Sequence, residues 1–164
     1  MRILGIDPGI AIVGWGVIEY QNNRFRTIAY GAITTEAGID VEVRLKLVYD
    51  ELCEIIDYYH PDQMAVEELF FTNNITTGIP VAEARGVILL AGIQKQLQIA
   101  EYTPMQVKQA VVGYGNATKH QVQDMTKRLL GLSAMPKPDD AADAIAIALC
   151  HARSSTSLLA QLQR

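Results

Sequence analysis

The chain is poor in the residues that most often announce chemistry, with two cysteines, three histidines and one tryptophan in 164 residues. Cys53 and Cys150 stand far apart with no CxxC spacing, and His60, His120 and His151 form no HExxH pair or Cys/His cluster. Neither a zinc site nor a disulfide framework is therefore expected. Long apolar runs are missing too. The longest uncharged one, Gly86 to Ile93, is far too short to cross a bilayer, and Met1-Arg2-Ile3-Leu4-Gly5 leads into a turn without a secretory pattern. The expected address is the cytoplasm, with no membrane partner. No internal repeat or low-complexity linker divides the chain, so one domain is expected over 1–164, with a frayed tail after about residue 154. With 49% of residues apolar and 20% charged, this is the composition of a folded protein.

Positive charge is also scarce. A net charge of −4 argues against a nucleic-acid partner, because such binding draws on neutralisation of phosphates by Lys and Arg. The distribution qualifies the sum: between Thr103 and Pro138, Asp124 is the one acid, set against Lys108, Lys119, Lys127, Arg128 and Lys137. On charge alone, a solvated helix face explains this segment as well as a nucleic-acid surface does.

What the chain does have is carboxylates at the ends of apolar runs. Asp7 follows Ile3-Leu4-Gly5-Ile6 and precedes Pro8-Gly9; Glu67 and Glu68 follow Met64-Ala65-Val66; Asp139, Asp140 and Asp143 cluster late. Each has a structural explanation. Asp-Pro-Gly is a common turn, a strand can end in two solvated glutamates, and Asp139 or Asp140 suits a helix N-terminus. Alternation does not choose between Glu67 and Glu68, since each shares a face with apolar neighbours. Asp143 fits capping poorly, because helical spacing puts it on the inward side with Ala146 and Ile147. If the segments converge, paired carboxylates repel by roughly 4 kcal/mol at about 4 Å and an effective dielectric near 20. A hard divalent cation with oxygen ligands relieves that repulsion, which points to phosphodiester chemistry.

Periodicity predicts strands over Arg2 to Asp7, Ala11 to Tyr20 and Arg24 to Thr35, the last two joined at Asn22-Asn23, then a helix from Val41 to Tyr59 that stops before Pro61. A strand over Gln63 to Leu69, a polar Thr72-Asn73-Asn74 loop, a helix from about Pro80 to Gln98 and a short strand from Ile99 to Tyr102 follow, with helices beyond. That order predicts an α/β domain with a mixed sheet. The apolar segment Gly86 to Ile93 leaves a helix that one sheet covers on one side only, so either the C-terminal helices or a second copy of the chain must cover the rest.

These residues together resemble the RuvC family of Holliday-junction resolvases, within the ribonuclease H-like superfamily. The resemblance is carried by Leu4-Gly5-Ile6-Asp7-Pro8-Gly9, by Ala65-Val66-Glu67 with Phe70, by Ala84-Arg85-Gly86-Val87, and by Val107-Lys108-Gln109 leading to Val111-Val112-Gly113. It continues through Gly115, Ala117, Lys119, Gln121 and Val122 to Asp140-Ala141-Ala142-Asp143-Ala144. It implies a five-stranded mixed sheet flanked by helices. It also implies a structure-selective endonuclease that cuts four-way DNA junctions by paired symmetric nicks, leaving 5′-phosphate and 3′-hydroxyl ends. Asp7, Glu67, Asp140 and Asp143 become the catalytic and metal-binding acids for two magnesium ions, with manganese as a substitute; Asp139 competes with Asp140. Phe70 is assigned to base stacking, and Lys108, Lys119 and Arg85 to DNA contact. A homodimer and a branch-migration motor complex are the implied partners. Other readings are a related nuclease on other substrates, a non-catalytic junction binder, or an actin-like ATPase, to whose phosphate loop Asp7-Pro8-Gly9 with Gly14 and Gly16 is similar; that fold needs a second such domain.

Overall fold

The computed structural model describes residues 1–69 and 75–156. The chain opens with β1 (Arg2–Asp7), β2 (Ile12–Gln21) and β3 (Arg24–Thr34), an antiparallel meander. Asn22 and Asn23 both adopt positive φ, at 51° and 62°, which is the backbone a tight two-residue hairpin requires. Helix α1 (Val41–Tyr59) follows, burying Val48, Leu52 and Ile56 at helical spacing. It ends at His60, whose left-handed conformation directs its N–H to the Ile56 carbonyl just before Pro61.

The second half comprises β4 (Gln63–Glu67), α2 (Ile75–Gln94), β5 (Gln98–Tyr102), α3 (Pro104–Val112), α4 (Lys119–Leu129) and α5 (Asp139–Ser155). Strand β4 pairs parallel with both β1 and β5, giving a mixed five-stranded sheet in the order β3-β2-β1-β4-β5. Each parallel step is bridged by a helix, α1 before β4 and α2 before β5.

Several boundaries differ from the sequence expectation. Strand β4 stops at Glu67, two residues early, and α2 begins at Ile75, so Pro80 lies inside the helix. Proline at that position forfeits one backbone hydrogen bond, and the buried stripe of Ala84, Ile88 and Ala91 continues beyond it. The same helix ends at Gln94, because Gln96 turns left-handed (φ 60°) and the Leu97 N–H closes back on the Gly92 carbonyl. Helix α5 continues through Ser154 to Ser155, and Ser155 and Thr156 donate their hydroxyls to the Ala152 carbonyl.

Two cores sandwich the sheet. On one face Ile3, Ile18 and Ala65 pack with Val107 and Val111 of α3 and with Ile145 and Leu149 of α5. On the other, Leu4, Ile6, Val13, Val17, Met64 and Val66 pack with Val48, Leu52 and Ile56 of α1 and Ile88 and Ala91 of α2. Helix α5 is the element buried on every side, since Ala144 through Ala152 are all inside. Helix α2 is not: Leu90 is 51% and Ile93 62% exposed. Among the described residues no helix is long and apolar enough to cross a membrane.

Candidate active site

The period-two alternation of β1 and β4 decides which carboxylates meet. In β1, Ile3 and Gly5 face α5 while Leu4 and Ile6 face α1 and α2, so Asp7 at the end of the strand projects to the α5 side. In β4, Ala65 faces α5 and Met64 and Val66 face away, so Glu67 projects to the α5 side as well. The parallel register aligns Ile6 with Val66, and Asp7 and Glu67 therefore end their strands next to each other. Glu68 leaves the strand, donates its N–H to the Tyr102 carbonyl, and borders a separate hollow with Leu69, Ala82, Arg85 and Glu101.

Helix α5 supplies the remaining acids, and glycines in the sheet let it come close. A Cβ on Gly5 would sit 2.0 Å from the Ala144 carbonyl oxygen, and one on Gly14, the ladder partner of Asp7, 2.0 Å from the Asp140 carbonyl oxygen. Backbone rests directly on backbone there, so the first turns of α5 lie over the ends of β1 and β2. Asp140 and Asp143, three residues apart on α5, both lie close enough to act on Asp7, and Asp143 acts on Glu67 as well, whereas Asp139 is 64% exposed at the rim.

The electrostatics follow from this crowding. Burial, then the negative charges of Glu67, Asp143 and Asp140, push the Asp7 carboxyl up to about 8. Burial and Asp143 push Glu67 up to about 7 against the opposing pull of Lys108 and Lys119. Asp143 is also raised by burial, although Lys119 hydrogen-bonds to it and acts in the other direction. The Lys119 ammonium lies 2.9 Å from Asp143 and 3.6 Å from Asp139, and that pairing raises its own proton affinity. Among the described residues no three carboxylates already converge on a single ion position. The acids share one field, with a lysine as the resident counter-charge. Buried all-oxygen donors that hold protons for want of positive charge fit a hard divalent cation.

The flank of the site is partly apolar. Glu67, Asp143, Lys108 and Lys119 line a cavity whose remaining wall is Pro104, Val107, Val122 and Ala146. Both lysines are held in place by capped helices. Thr103 and Gln106 form a reciprocal capping box at the start of α3, which carries Lys108, and Thr118 and Gln121 form another at the start of α4, whose first residue is Lys119. Thr-x-x-Gln is legible in the sequence at both places, yet it did not enter the expectation for either lysine; nor did the apolar wall, which amphipathic spacing in α3 and α4 signals. Arg85 stands apart from the acids, ion-paired to Glu101 across α2 and β5. Phe70 and the 72–74 loop lie outside the described residues.

Comparison with known proteins gives a consistent set of relatives. The family model described as crossover junction endodeoxyribonuclease RuvC matches residues 3–151. A protein of that name from Caldicellulosiruptor saccharolyticus is 56% identical over 162 residues, covering 98% of each chain. Another from Halothermothrix orenii is 58% identical over 154 residues, covering 94% of this chain and 93% of its own. Among solved structures, Thermus thermophilus RuvC in complex with a Holliday junction substrate superposes with a TM-score of 0.90 at 35% identity, over 94% of each chain.

Proposed function

The chain belongs to the RuvC family of crossover junction endodeoxyribonucleases, and from that premise we propose how its residues carry out junction cutting. The protein is a hydrolase that resolves Holliday junctions in DNA and uses divalent metal. The observation that carries the proposal is the meeting of acids from β1, β4 and α5 on one face, with Asp7 and Glu67 driven to about 8 and about 7.

Asp7, Glu67, Asp140 and Asp143 hold two magnesium ions in this reading, with manganese able to replace them. Asp140 is preferred to Asp139 because it contributes to the field at Asp7 while Asp139 pairs with Lys119 at the rim. Bound ions of this kind supply the positive charge that favours ionisation of water and stabilises the leaving 3′ oxygen. The protein's own part is positioning. The carboxylates fix the donor geometry, Lys108 and Lys119 take up phosphate charge, and the Pro104, Val107 and Val122 wall keeps bulk water from one side of the cavity. No covalent intermediate on the protein is required, and the products carry 5′-phosphate and 3′-hydroxyl ends.

Phe70 is proposed to stack on a base at the junction, where stacking contributes about 1–3 kcal/mol. Arg85 reaches DNA in this proposal by releasing Glu101. A homodimer is supported by the uncovered Leu90 and Ile93 side of α2, which a second copy would bury to place two sites for symmetric nicks. A branch-migration motor complex is the proposed partner at the junction, and the cytoplasm the proposed compartment.

The test is cleavage of a synthetic four-way junction, a plain duplex and an RNA-DNA hybrid, each with and without magnesium. Magnesium-dependent paired nicks on the junction alone are expected. Asp143→Asn should cut at least about a thousandfold more slowly and still shift the junction in a gel; unchanged cleavage with lost binding would overturn the assignment.

A further inference from the structure

A second feature lies on the opposite face of the sheet, away from the acids. Where α1 crosses the edge strand β3, a groove is lined by Trp15, Ile55, Tyr58 and Tyr59, with Glu51 and Glu54 along the helix side. Trp15 is the one tryptophan of the chain. Its indole lies across β3 because the residue opposite it is Gly31, where a Cβ would fall 2.9 Å from the ring. Tyr59 packs against it with ring centroids 5.6 Å apart, and Tyr58 meets Tyr59 edge-on at 4.8 Å.

The composition of this groove is unusual for a monomer surface. Tyr58 is 76% exposed despite being a large aromatic. The indole N–H of the half-buried Trp15 donates no hydrogen bond among the described residues and is left facing solvent in the groove. Glu51 and Glu54 make no ion pair among the described residues either, whereas Asp50 and Asp57 on the same helix are paired with Lys46 and Lys95. The nearby Arg2 guanidinium is turned to the Tyr59 carbonyl and Glu19 through its two terminal nitrogens, with its Nε buried and unpaired. Aromatic faces beside uncompensated acids favour a guanidinium or ammonium, which gains from both the ring quadrupole and the carboxylate.

We propose that this groove docks a basic amphipathic segment of a partner protein, with apolar side chains on Trp15 and Ile55 and Arg or Lys side chains between Tyr58 and the two glutamates. Charge complementarity selects this occupant. DNA is disfavoured by Glu51 and Glu54, and a second copy of this acidic chain would bring more acid to the rim. The uncovered face of α2 assigned to dimerisation lies on the other side of α1, where Leu45, Tyr49, Val87 and Leu90 meet, so both surfaces can be engaged together.

Since the groove holds the sole tryptophan, intrinsic fluorescence reports on it directly. The probe is a synthetic amphipathic peptide of leucine and arginine without aromatic residues, compared with the same peptide carrying glutamate for arginine. The arginine peptide is expected to shift Trp15 emission saturably, and the glutamate peptide to leave it unchanged. The combined variant Glu51→Lys, Glu54→Lys, Tyr58→Ser should bind the arginine peptide at least tenfold more weakly while cutting junctions at the normal rate, which also verifies its fold. If the combined variant does not fold, Glu54→Lys alone should weaken binding about threefold. Equal affinity of parent and variant, or no emission change at saturation, would overturn the proposal. Dissociation of a homodimer by the variant would overturn it too, by identifying the occupant as a second copy.

Discussion

The ammonium of Lys119 lies 2.9 Å from a carboxylate oxygen of Asp143, placing a side-chain cation inside the field of the acids assigned to metal. The lysine and an incoming ion compete for the same negative charge. Lys119→Met should therefore lower the melting temperature of metal-free protein at pH 8 and increase the further rise in Tm produced by magnesium. Thermal melts in chelator and in saturating magnesium measure both. An unchanged gap between the two melts would show that Lys119 is not the resident counter-charge. Cutting should also slow, because phosphate loses a partner.

Proton linkage gives the second prediction. Asp7 and Glu67 hold their protons up to about 8 and about 7 in the folded chain, above their ordinary values of 3.8 and 4.5. The folded state thus binds more protons than the unfolded one between about pH 4 and pH 8, and stability falls as pH rises through that window. Metal-free protein should melt at progressively lower temperature from pH 5 to pH 8, and added magnesium should flatten the trend. Asp7→Asn should remove much of the slope and raise the melting temperature of the metal-free protein at pH 8, since it removes the largest of these proton-affinity shifts. A chelated protein whose Tm climbs over this range would contradict the placement of these acids.

Close approach of α5 to the sheet supplies the third. Gly5→Ala or Gly14→Ala would set a methyl 2.0 Å from a helix carbonyl oxygen, a contact neither backbone can yield to without moving the helix. A loss of about 3 kcal/mol or more is expected, beyond the 1–3 kcal/mol usual for overpacking, with a steep fall in cleavage. Chemical denaturation reads the first and a junction assay the second. Gly86→Ala, where a Cβ meets nothing within 4 Å, is the matched control and should leave stability nearly unchanged or slightly raised.

A fourth prediction concerns substrate distortion. If Phe70 stacks on an unpaired base, Phe70→Ala should slow cutting of an intact junction by about tenfold or more and that of a flexible nicked junction far less. Equal slowing on both substrates would assign Phe70 to packing.

Much of this architecture was legible from residue pattern, and the exceptions have physical causes. The α1 helix was set by Leu45, Val48, Leu52 and Ile56 at its spacing and by Pro61 beyond its end, and the Asn22-Asn23 hairpin by its turn chemistry. Pro80 reads as a helix opener in the sequence, whereas the structure accommodates it within α2. Glu67 and Glu68 were indistinguishable by alternation because β4 is buried on both faces. Which face received α5 depended on Gly5, Gly14 and Gly16, whose role appears only when the helix backbone is seen against them. Asp143 was the most readable acid, since a carboxylate on the inward side of an alanine-rich helix has few structural uses.

The stacking of α5 on bare glycine backbone ties the durability of the reaction centre to that of the whole molecule. The acids sit on two adjacent central strands, β1 and β4, and on the innermost helix, so an opening that scatters them must also break the core. Amide exchange over the buried run of α5 from Ala144 to Ala152 should accordingly match the slowest protons in the protein, and inactivation by denaturant should coincide with global unfolding.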